Sequence, residues 1–357
     1  MKRALTVLLA GAILALSACG SGPDPQSPEP SASAQPVPVV TPQPTPEYQY
    51  TNPLTGEPCA SDIGASRPIA VMLNNLKKAL PQHGVAQADI IFEIPAEGGI
   101  TRMMGVFQSL EGVGEIGSVR SARPYYVELA HGLDAIFLHA GGSPDAYSYI
   151  KSHKDMTALD CVNGPYEGTL FWRDKDRIQN AGYEHSVFTS GEVITELFQD
   201  YSFRKAHEED YVFPWTFVEE GTPAGGGAAA EITVPITSSK TTVFQYDSGS
   251  GQYAVEEYGA AYVDGNSGQQ VTVTNVLILA TSIRSIPGDS EGRLTVDLTG
   301  GTGWYACGGR YIPIQWEKGA GAEPLLLMTE SGTPLELGQG TSYISVVSTG
   351  CQVVFEE

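Results

Sequence analysis

The feature that most constrains the fold is a run of small residues, EEGTPAGGGAAA at 219–230, that separates two unlike halves of the chain. A Gly- and Ala-rich stretch of this kind is typical of a flexible joint. About 300 residues follow position 50, which suits two ordinary domains better than one. The sequence therefore predicts a domain over 51–218, a linker over 219–230 and a second domain over 231–357.

The second half alternates apolar and polar residues with the period of β-strands. Segments such as TTVFQYD, QVTVTNVLILATS and GRYIPIQWEK are separated by Gly-, Asp- and Asn-rich turns. It contains no histidine, and its reactive side chains are not grouped. We expect this half to be mostly β, as a sandwich or an open barrel, with a binding or structural role.

The first half mixes strand and helix signals. Strands are predicted at 67–73, 88–94, 101–109 and 134–139, each rich in apolar residues. Helices are predicted at 124–132, with Ser121 as its cap, from the Ser143 cap onward, and from 189 to about 201. The expected fold class is α+β, with a mixed α/β N-terminal domain and a mostly-β C-terminal domain.

The N-terminus indicates export and lipid attachment. A basic start and an apolar run over 4–16 precede Leu16-Ser17-Ala18-Cys19, which has the form of a lipobox. The prediction is a lipoprotein signal peptide over 1–18 and acylation of Cys19, for example by palmitate. The chain would then be anchored at the outer face of a bacterial cytoplasmic membrane. The alternative is an ordinary secretory signal with an incidental cysteine.

Residues 19–50 are dominated by Pro, Ser, Gln, Glu and Thr. Such a composition has little to bury, and it predicts a disordered, stiffened tether between the membrane and the folded part. No later segment is apolar for long enough to suggest a second span.

The formal net charge is −21. So acidic a chain argues against nucleic-acid partners and against broad adhesion to anionic polymers, so any anion site must be a local concentration of positive charge. No histidine, cysteine or carboxylate spacing resembles a metal site, and no cofactor motif is evident. No metal and no cofactor are therefore predicted.

Four cysteines remain besides Cys19: Cys59, Cys161, Cys307 and Cys351. An even number in an exported protein permits two disulfides, with three possible connectivities. One pair in each half, Cys59–Cys161 and Cys307–Cys351, is the arrangement we expect, and free buried thiols are the alternative.

The segment 114–147, GEIGSVRSARPYYVELAHGLDAIFLHAGGSPDAY, gathers the groups of a candidate site. A strand ending at His139 meets Gly141-Gly142-Ser143 and a helix start, and the N-termini of helices offer free N–H groups and partial positive charge. Turns at the carboxyl ends of strands are the usual ligand sites of α/β folds. We therefore expect Gly141, Gly142 and Ser143 to contact a ligand.

Arginines cluster around this turn. Arg120 and Arg123 lie in a loop that enters a helix start, where positive charge is unfavourable unless an anion meets it. Guanidinium groups bind carboxylate or phosphate bidentately. Arg102 and Arg173 are additional candidates for the same ligand site. The alternative is that these cations form internal ion pairs with the many acidic residues.

A catalytic role is the competing interpretation. His139 as a general base or acid, oriented by Asp145 or Glu97, would suit an envelope hydrolase acting on a phosphodiester or glycan. Ser143 lacks the context of a nucleophilic serine and is expected to cap a helix. The sequence leaves open whether the site performs chemistry.

Several motifs together resemble the YerB-like family of bacterial lipoproteins. They include Asn52-Pro53-Leu54-Thr55-Gly56, RPIAVMLNN, EIPAEGGITRMMGVFQ, the segment at 114–147 and His185-Ser186-Val187-Phe188-Thr189-Ser190. The resemblance extends from about residue 52 to the end. It implies a two-domain extracytoplasmic lipoprotein, adds His185 to the candidate ligand-binding residues and brings no established activity. One departure is Tyr183-Glu184, where the family pattern leads us to expect arginine-proline before His185.

The expected function is non-catalytic binding of an anionic or glycan-like cell-envelope ligand, such as a cell-wall glycan or a fragment of an anionic polymer. A hydrolase is one alternative. The other is a scaffold for cell-wall machinery, which would need a cell-wall protein partner rather than a small-molecule site.

Overall fold

A computed structural model describes residues 48–357, which contain four α-helices and four 3₁₀ turns. The predicted signal peptide (1–18), Cys19 and all but the last three residues of the predicted tether (19–50) lie outside the described residues. The helices are α1 (Pro124–Gly132), α2 (Pro144–Ser152), α3 (Lys175–Asn180) and α4 (Gly191–Phe198), and the 3₁₀ turns are Lys77–Ala79, Val85–Gln87, Glu97–Gly99 and Tyr183–His185.

Strands account for most of the regular structure. Those before residue 219 are β1 (Tyr50–Thr51), β2 (Pro58–Cys59), β3 (Ile69–Asn74), β4 (Ile90–Pro95), β5 (Thr101–Phe107), β6 (Glu115–Gly117), β7 (Ile136–His139), β8 (Thr157–Asp160), β9 (Trp172–Arg173), β10 (Val187–Ser190) and β11 (Thr216–Val218).

The remaining strands are β12 (Gly227–Ala228), β13 (Glu231–Thr237), β14 (Lys240–Asp247), β15 (Gln252–Glu257), β16 (Ala260–Ala261), β17 (Thr272–Val273), β18 (Asn275–Thr281), β19 (Ile283–Ser285), β20 (Leu294–Val296), β21 (Gly300–Cys307), β22 (Arg310–Lys318), β23 (Leu325–Thr329), β24 (Glu336–Gly338), β25 (Ser342–Ser348) and β26 (Val354–Glu356). The described chain is thus a mixed fold dominated by sheet.

The largest sheet draws strands from both halves of the chain. Its order is β12-β22-β21-β18-β25-β4-β5-β3-β7-β8, with β23 beside β22. The halves meet where β25 pairs in parallel with β4, Ser342 opposite Ile90. The predicted linker 219–230 itself contributes β12, which pairs with β22. The domain boundaries at 218 and 231 stay predictions. Strands from both predicted domains and from the linker are hydrogen-bonded in one sheet.

Both faces of the central part of this sheet are covered, which explains why five of its strands are buried along their whole length: β3, β4, β5, β7 and β18. Along β3, Val71 and Leu73 face one core, and Ala70 and Met72 face the other. The first core is closed by a six-stranded sheet of β16-β15-β14-β13-β26 with β17, and the second contains the buried side of α1. Alternation along a strand places successive side chains on opposite faces.

Helix starts in the first half follow the sequence signals closely. Ser143 caps α2 by accepting from the Ala146 amide at 3.3 Å, and Ser190 caps α4 by accepting from the Val193 amide at 3.2 Å. The helix predicted at 124–132 is confirmed, but Ser121 as its cap is wrong. The residue in the N-cap position is Arg123, and its side chain makes no cap bond because it turns to Glu97.

Within the described residues all four cysteines are free, so the predicted pairs Cys59–Cys161 and Cys307–Cys351 are wrong. Their thiols have other surroundings. The Cys351 thiol lies against the Pro235 carbonyl at 3.4 Å, and Cys161 is buried, with Glu167 4.0 Å from its sulfur. Burial raises the pKa of Cys161 to about 11, so this thiol is inert at neutral pH.

No helix in residues 48–357 is long and apolar enough to cross a membrane.

Candidate functional site

A cavity of about 560 Å³ opens beside the end of the main sheet where the parallel strands β7 and β8 terminate. Its wall consists of 119–121, 140–142 and residues from the segments after β8 and before β10. Such a volume is ordinary for a small-molecule site. Of the residues predicted to bind a ligand, four line the cavity: Arg120, Gly141, Gly142 and Arg173.

Arg120 is the cation of this cavity. Its backbone is fixed between neighbouring strands, because its amide donates to the Met72 carbonyl at 2.9 Å and its carbonyl accepts from the Ala140 amide at 3.1 Å. Its guanidinium makes no ion pair and no hydrogen bond within residues 48–357, although it is partly buried. Burial lowers the pKa of Arg120, but a guanidinium stays charged at neutral pH. An unpaired, half-buried cation is therefore available to a ligand.

The glycine turn brings main chain against the cavity. Gly141 has φ +77°, a conformation that favours glycine, and its amide donates to the Asp160 carboxylate at 2.7 Å. A Cβ on Gly142 would meet the Tyr147 ring at 3.4 Å, so a larger residue would crowd the opening. The pair lets a ligand approach the backbone closely.

Asp160 organises this wall of the cavity. Besides the Gly141 amide it accepts from the Val162 amide at 2.9 Å, the Tyr147 hydroxyl at 2.7 Å and the Asn163 amide group at 3.1 Å. Burial alone would raise the pKa of Asp160, but the nearby His139 and these hydrogen bonds outweigh it and lower the pKa. Asp160 is thus an ionised acceptor that positions its neighbours rather than a free acid.

The opposite wall carries charged and aromatic groups near solvent. Arg173 Nε donates to Glu167 at 2.8 Å, and its guanidinium lies 3.7 Å from the centre of the Tyr183 ring. Tyr183 is 57% exposed, and Glu184 beside it is also exposed. Arg173 is therefore already paired, in contrast to Arg120.

Arg102 and Arg123 do not line this cavity. Both bind one carboxylate, Glu97: Arg123 Nε donates to it at 2.9 Å, and one terminal nitrogen of each arginine contacts the other oxygen. Burial alone would raise the pKa of Glu97, but the hydrogen bond from Arg123 and both positive charges lower it to about 2. For these two arginines the internal ion pair predicted as the alternative is what the structure has.

The two histidines of the predicted site are packed away from the cavity. His139 is 1% exposed, with Nδ1 2.8 Å from the Gly141 carbonyl and its ring stacked on Phe137. Its nearest carboxylate is Asp160, at 3.8 Å, rather than Asp145 or Glu97. His185 is also buried, with Nδ1 2.6 Å from the Asn74 amide nitrogen. Burial lowers the pKa of both histidines, which favours neutral imidazoles.

Two further predicted residues have structural surroundings. Ser143 is buried and caps α2, as expected. Asp145 follows it in the first turn of α2 and is exposed, where a carboxylate stabilises the helix N-terminus. Neither belongs to the lining of the cavity.

Sequence reasoning missed the groups that line the cavity opposite Arg120: Tyr147, Asn163, Glu167, Tyr183 and Glu184. One signal was present, because Tyr147 follows the Ser143 cap by one helical turn and so points to the same end of α2. Another was Asp160, which ends β8 opposite His139 on β7. The remaining residues come from irregular chain whose position no local pattern reveals.

A larger groove of about 990 Å³ lies elsewhere, between the loop 108–114 and α4. Its two cations are occupied: Arg67 donates to carbonyls and to Thr157, and Lys205 donates to the Gln199 carbonyl at 3.3 Å. The groove holds none of the predicted site residues. Volume alone therefore does not identify the polar site. In residues 48–357 no group of histidine, cysteine or carboxylate side chains is arranged to hold a metal ion.

Comparisons with known proteins point to one family. The profile described as "Protein of unknown function (DUF3048) N-terminal domain" matches residues 54–204, and that of the DUF3048 C-terminal domain matches 232–344. The "Putative lipoprotein YerB" of Bacillus subtilis (strain 168) is 31% identical over 298 residues, which cover 83% of this chain and 85% of that protein. The crystal structure of the Bacillus subtilis YerB protein superposes with a TM-score of 0.73 at 28% identity, covering 86% of this chain and 100% of the other.

Proposed function

The chain belongs to the YerB-like (DUF3048) family, and from this premise we propose that it is an extracytoplasmic lipoprotein that binds an anionic or glycan-like envelope ligand at Arg120. The binding is non-catalytic. The ligand is a cell-wall glycan or a fragment of an anionic envelope polymer. The observation that carries the proposal is the unpaired Arg120 guanidinium at a cavity of about 560 Å³.

The lipoprotein part of the proposal is supported by two independent facts. The relative from Bacillus subtilis is named as a putative lipoprotein, and this chain has Leu16-Ser17-Ala18-Cys19 after an apolar N-terminal run. Acylation of Cys19 would place the folded part at the outer face of the bacterial cytoplasmic membrane. Cell-wall polymers and cell-wall proteins are the partners within reach of that position.

The surroundings of His139 favour binding over hydrolysis. A general base must lie within hydrogen-bond reach of the proton it takes, directly or through one water. His139 is 1% exposed, and its Nδ1 is engaged by the Gly141 carbonyl. The carboxylate nearest to His139 is Asp160, and its oxygens already accept hydrogen bonds from four other residues: Gly141, Val162, Tyr147 and Asn163.

Thermal-shift titration of the full chain in detergent tests the proposal. The panel contains muropeptides, teichoic-acid fragments and sugar phosphates, and product formation is monitored in the same samples. A ligand that binds the folded state raises its melting temperature. We expect a ligand to raise the melting temperature without forming product. Arg120→Ala should abolish this rise, and Arg284→Ala, which changes an exposed arginine in the other half of the chain, should preserve it.

Turnover that depends on His139 would replace the binding proposal with an envelope hydrolase. The absence of both shift and product across the panel would favour a scaffold for cell-wall proteins.

A further inference from the structure

We propose that the cavity at Arg120 is selective for a carboxylated sugar, a hydroxyl-rich ligand with a single negative charge, over phosphorylated ligands. This inference rests on the proposed function and narrows it from anionic envelope ligands in general to one chemical class. Three features of the cavity carry it: its charge balance, its hydrogen-bonding groups and its exposed aromatic ring.

The charge balance favours a monoanion. Arg120 is the one cation of the lining without a partner in the described residues, since Arg173 is neutralised by Glu167 at 2.8 Å. Glu184 also lines the cavity, and its carboxylate is ionised, because a hydrogen bond from its own amide lowers its pKa. Within the described residues the lining thus has one free guanidinium, Arg120, and one free carboxylate, Glu184, so a phosphate with two charges would leave more uncompensated negative charge than a ligand with one. A single carboxylate matches Arg120 in charge and in its bidentate geometry.

The other polar groups suit hydroxyls. Glu167, Glu184 and the side-chain carbonyl of Asn163 are acceptors. The Asn163 amide nitrogen already donates to Asp160 and to the Tyr147 hydroxyl, which itself donates to Asp160. Carboxylate acceptors bind sugar hydroxyl donors well and repel phosphate oxygens. Hydrogen-bond acceptors around one cation are therefore what a polyhydroxylated acid requires.

Tyr183 supplies an apolar surface for a sugar ring. It is 57% exposed, and its ring is held 3.7 Å from the Arg173 guanidinium. The C–H face of a pyranose packs on such a ring in the way other apolar surfaces do. Gly141 and Gly142 lie beside Arg120, because the Ala140 amide donates to the Arg120 carbonyl, and they add no side chain to this part of the lining.

Ligand-observed NMR on the full chain in detergent, in phosphate-free buffer, tests the selectivity. The probes are glucuronate, glucose, glucose 6-phosphate and inorganic phosphate. We expect glucuronate to bind at least about tenfold more tightly than any of the others. Arg120→Ala should reduce glucuronate binding about tenfold or more, because it removes the charge partner of the carboxylate. Arg284→Ala should leave it unchanged.

Two variants separate selectivity from simple anion binding. Glu184→Gln removes one repulsive charge and should narrow the preference for glucuronate over glucose 6-phosphate. Tyr183→Ala should weaken the binding of glucuronate and leave the binding of inorganic phosphate unchanged. Arg120-dependent binding of phosphates in preference to glucuronate would overturn this inference and leave the proposed function standing. Failure of every probe, together with failure of the muropeptide and teichoic-acid panel, would overturn both.

Discussion

Lys240 and Glu257 form a buried ion pair, with the Lys240 ammonium 3.0 Å from one Glu257 oxygen. The same ammonium lies 3.3 Å from Glu93, on β4 of the main sheet. All three side chains are at most 1% exposed. Two carboxylates thus share one ammonium where the six-stranded sheet meets the main sheet, and the second Glu257 oxygen has no hydrogen-bond partner in the described residues.

Removing the lysine from this cluster should be strongly destabilising. Lys240→Met leaves two buried carboxylates without a counter-charge, and breaking a buried pair in this way costs about 3–5 kcal/mol. Urea denaturation of the variant measures the loss. Lys154→Met, at an exposed position, is the matched control and should change stability by less than about 0.5 kcal/mol. A similar small change for Lys240→Met would contradict the assigned role of the cluster.

Glu257 should make stability depend on pH near neutrality. Burial raises its pKa to about 7, against the opposing effect of Lys240, so the folded state holds a proton that the unfolded state has released above its ordinary pKa of 4.5. The stability contributed by this group therefore falls as pH rises from about 4.5 to about 7. Glu257→Gln removes that dependence.

The measurement is the free energy of unfolding of wild type and Glu257→Gln between pH 5 and pH 8. Buried histidines such as His139 contribute in the opposite direction, because their lowered pKa values make stability rise with pH up to about 6.5. Subtracting the wild-type value from the Glu257→Gln value at each pH cancels this contribution. We expect the free energy of unfolding of Glu257→Gln, relative to that of the wild type, to rise by about 2–3 kcal/mol from pH 5 to pH 8. Parallel pH profiles for the wild type and Glu257→Gln would disprove it.

The Glu97 cluster should contribute to stability rather than to ligand binding. Glu97→Gln leaves Arg102 and Arg123 without their shared carboxylate, and a loss of about 2 kcal/mol is expected after allowance for its partial exposure. Because the pKa of Glu97 is lowered to about 2, this stability is present above pH 4.5 and is lost as pH falls toward 2. Acid denaturation should begin at higher pH in Arg123→Ala. Loss of ligand affinity without loss of stability would instead assign these arginines to the site.

The cysteines should be insensitive to reductant. Since all four described thiols are free, a reducing agent should leave the melting temperature unchanged. Denatured protein without reductant should react with a thiol reagent at Cys59, Cys161, Cys307 and Cys351, and native protein should spare the buried Cys161 and Cys307. A non-reduced chain whose mass is lower by two hydrogens for each pair of cysteines would contain disulfides, and this result would refute the prediction of free thiols.

Helix capping distinguishes two serines that the sequence treats alike. Ser143→Ala removes the oxygen that accepts from the Ala146 amide and should cost about 1 kcal/mol. Ser121→Ala should cost much less, because α1 has no side-chain cap. Equal losses of stability in the two variants, measured by thermal denaturation, would show that Ser121 has a capping role after all.

The sequence predicted well where structure is decided locally. The start and end of α1 at Pro124 and Gly132 follow from proline in the first turn and the apolar spacing behind it. The capping serine of α2 was found for the same reason, since a cap depends on residues three positions apart. The turn at Gly141-Gly142 at the end of β7 was also predicted from adjacent residues.

Local sequence patterns could not predict ion pairs or disulfides between residues that are far apart in the chain. Glu97 contacts both Arg102 and Arg123, the latter twenty-six positions away, but the sequence suggested it as a partner of His139 instead. The cysteines were expected to pair from their number, but a disulfide requires Cα atoms within about 7 Å, which number does not reveal.

The sequence by itself determined the lipobox motif, the apolar periods of the strands, the helix caps and the overall negative charge, because each depends on neighbouring residues or on composition. Only the tertiary structure decided which arginine remains available. Arg102 and Arg123 reach Glu97, Arg173 reaches Glu167, and Arg120 faces a cavity without a partner in the described residues. The physical reason is that an ion pair forms where the fold brings opposite charges within a few ångströms, and sequence separation does not set that distance.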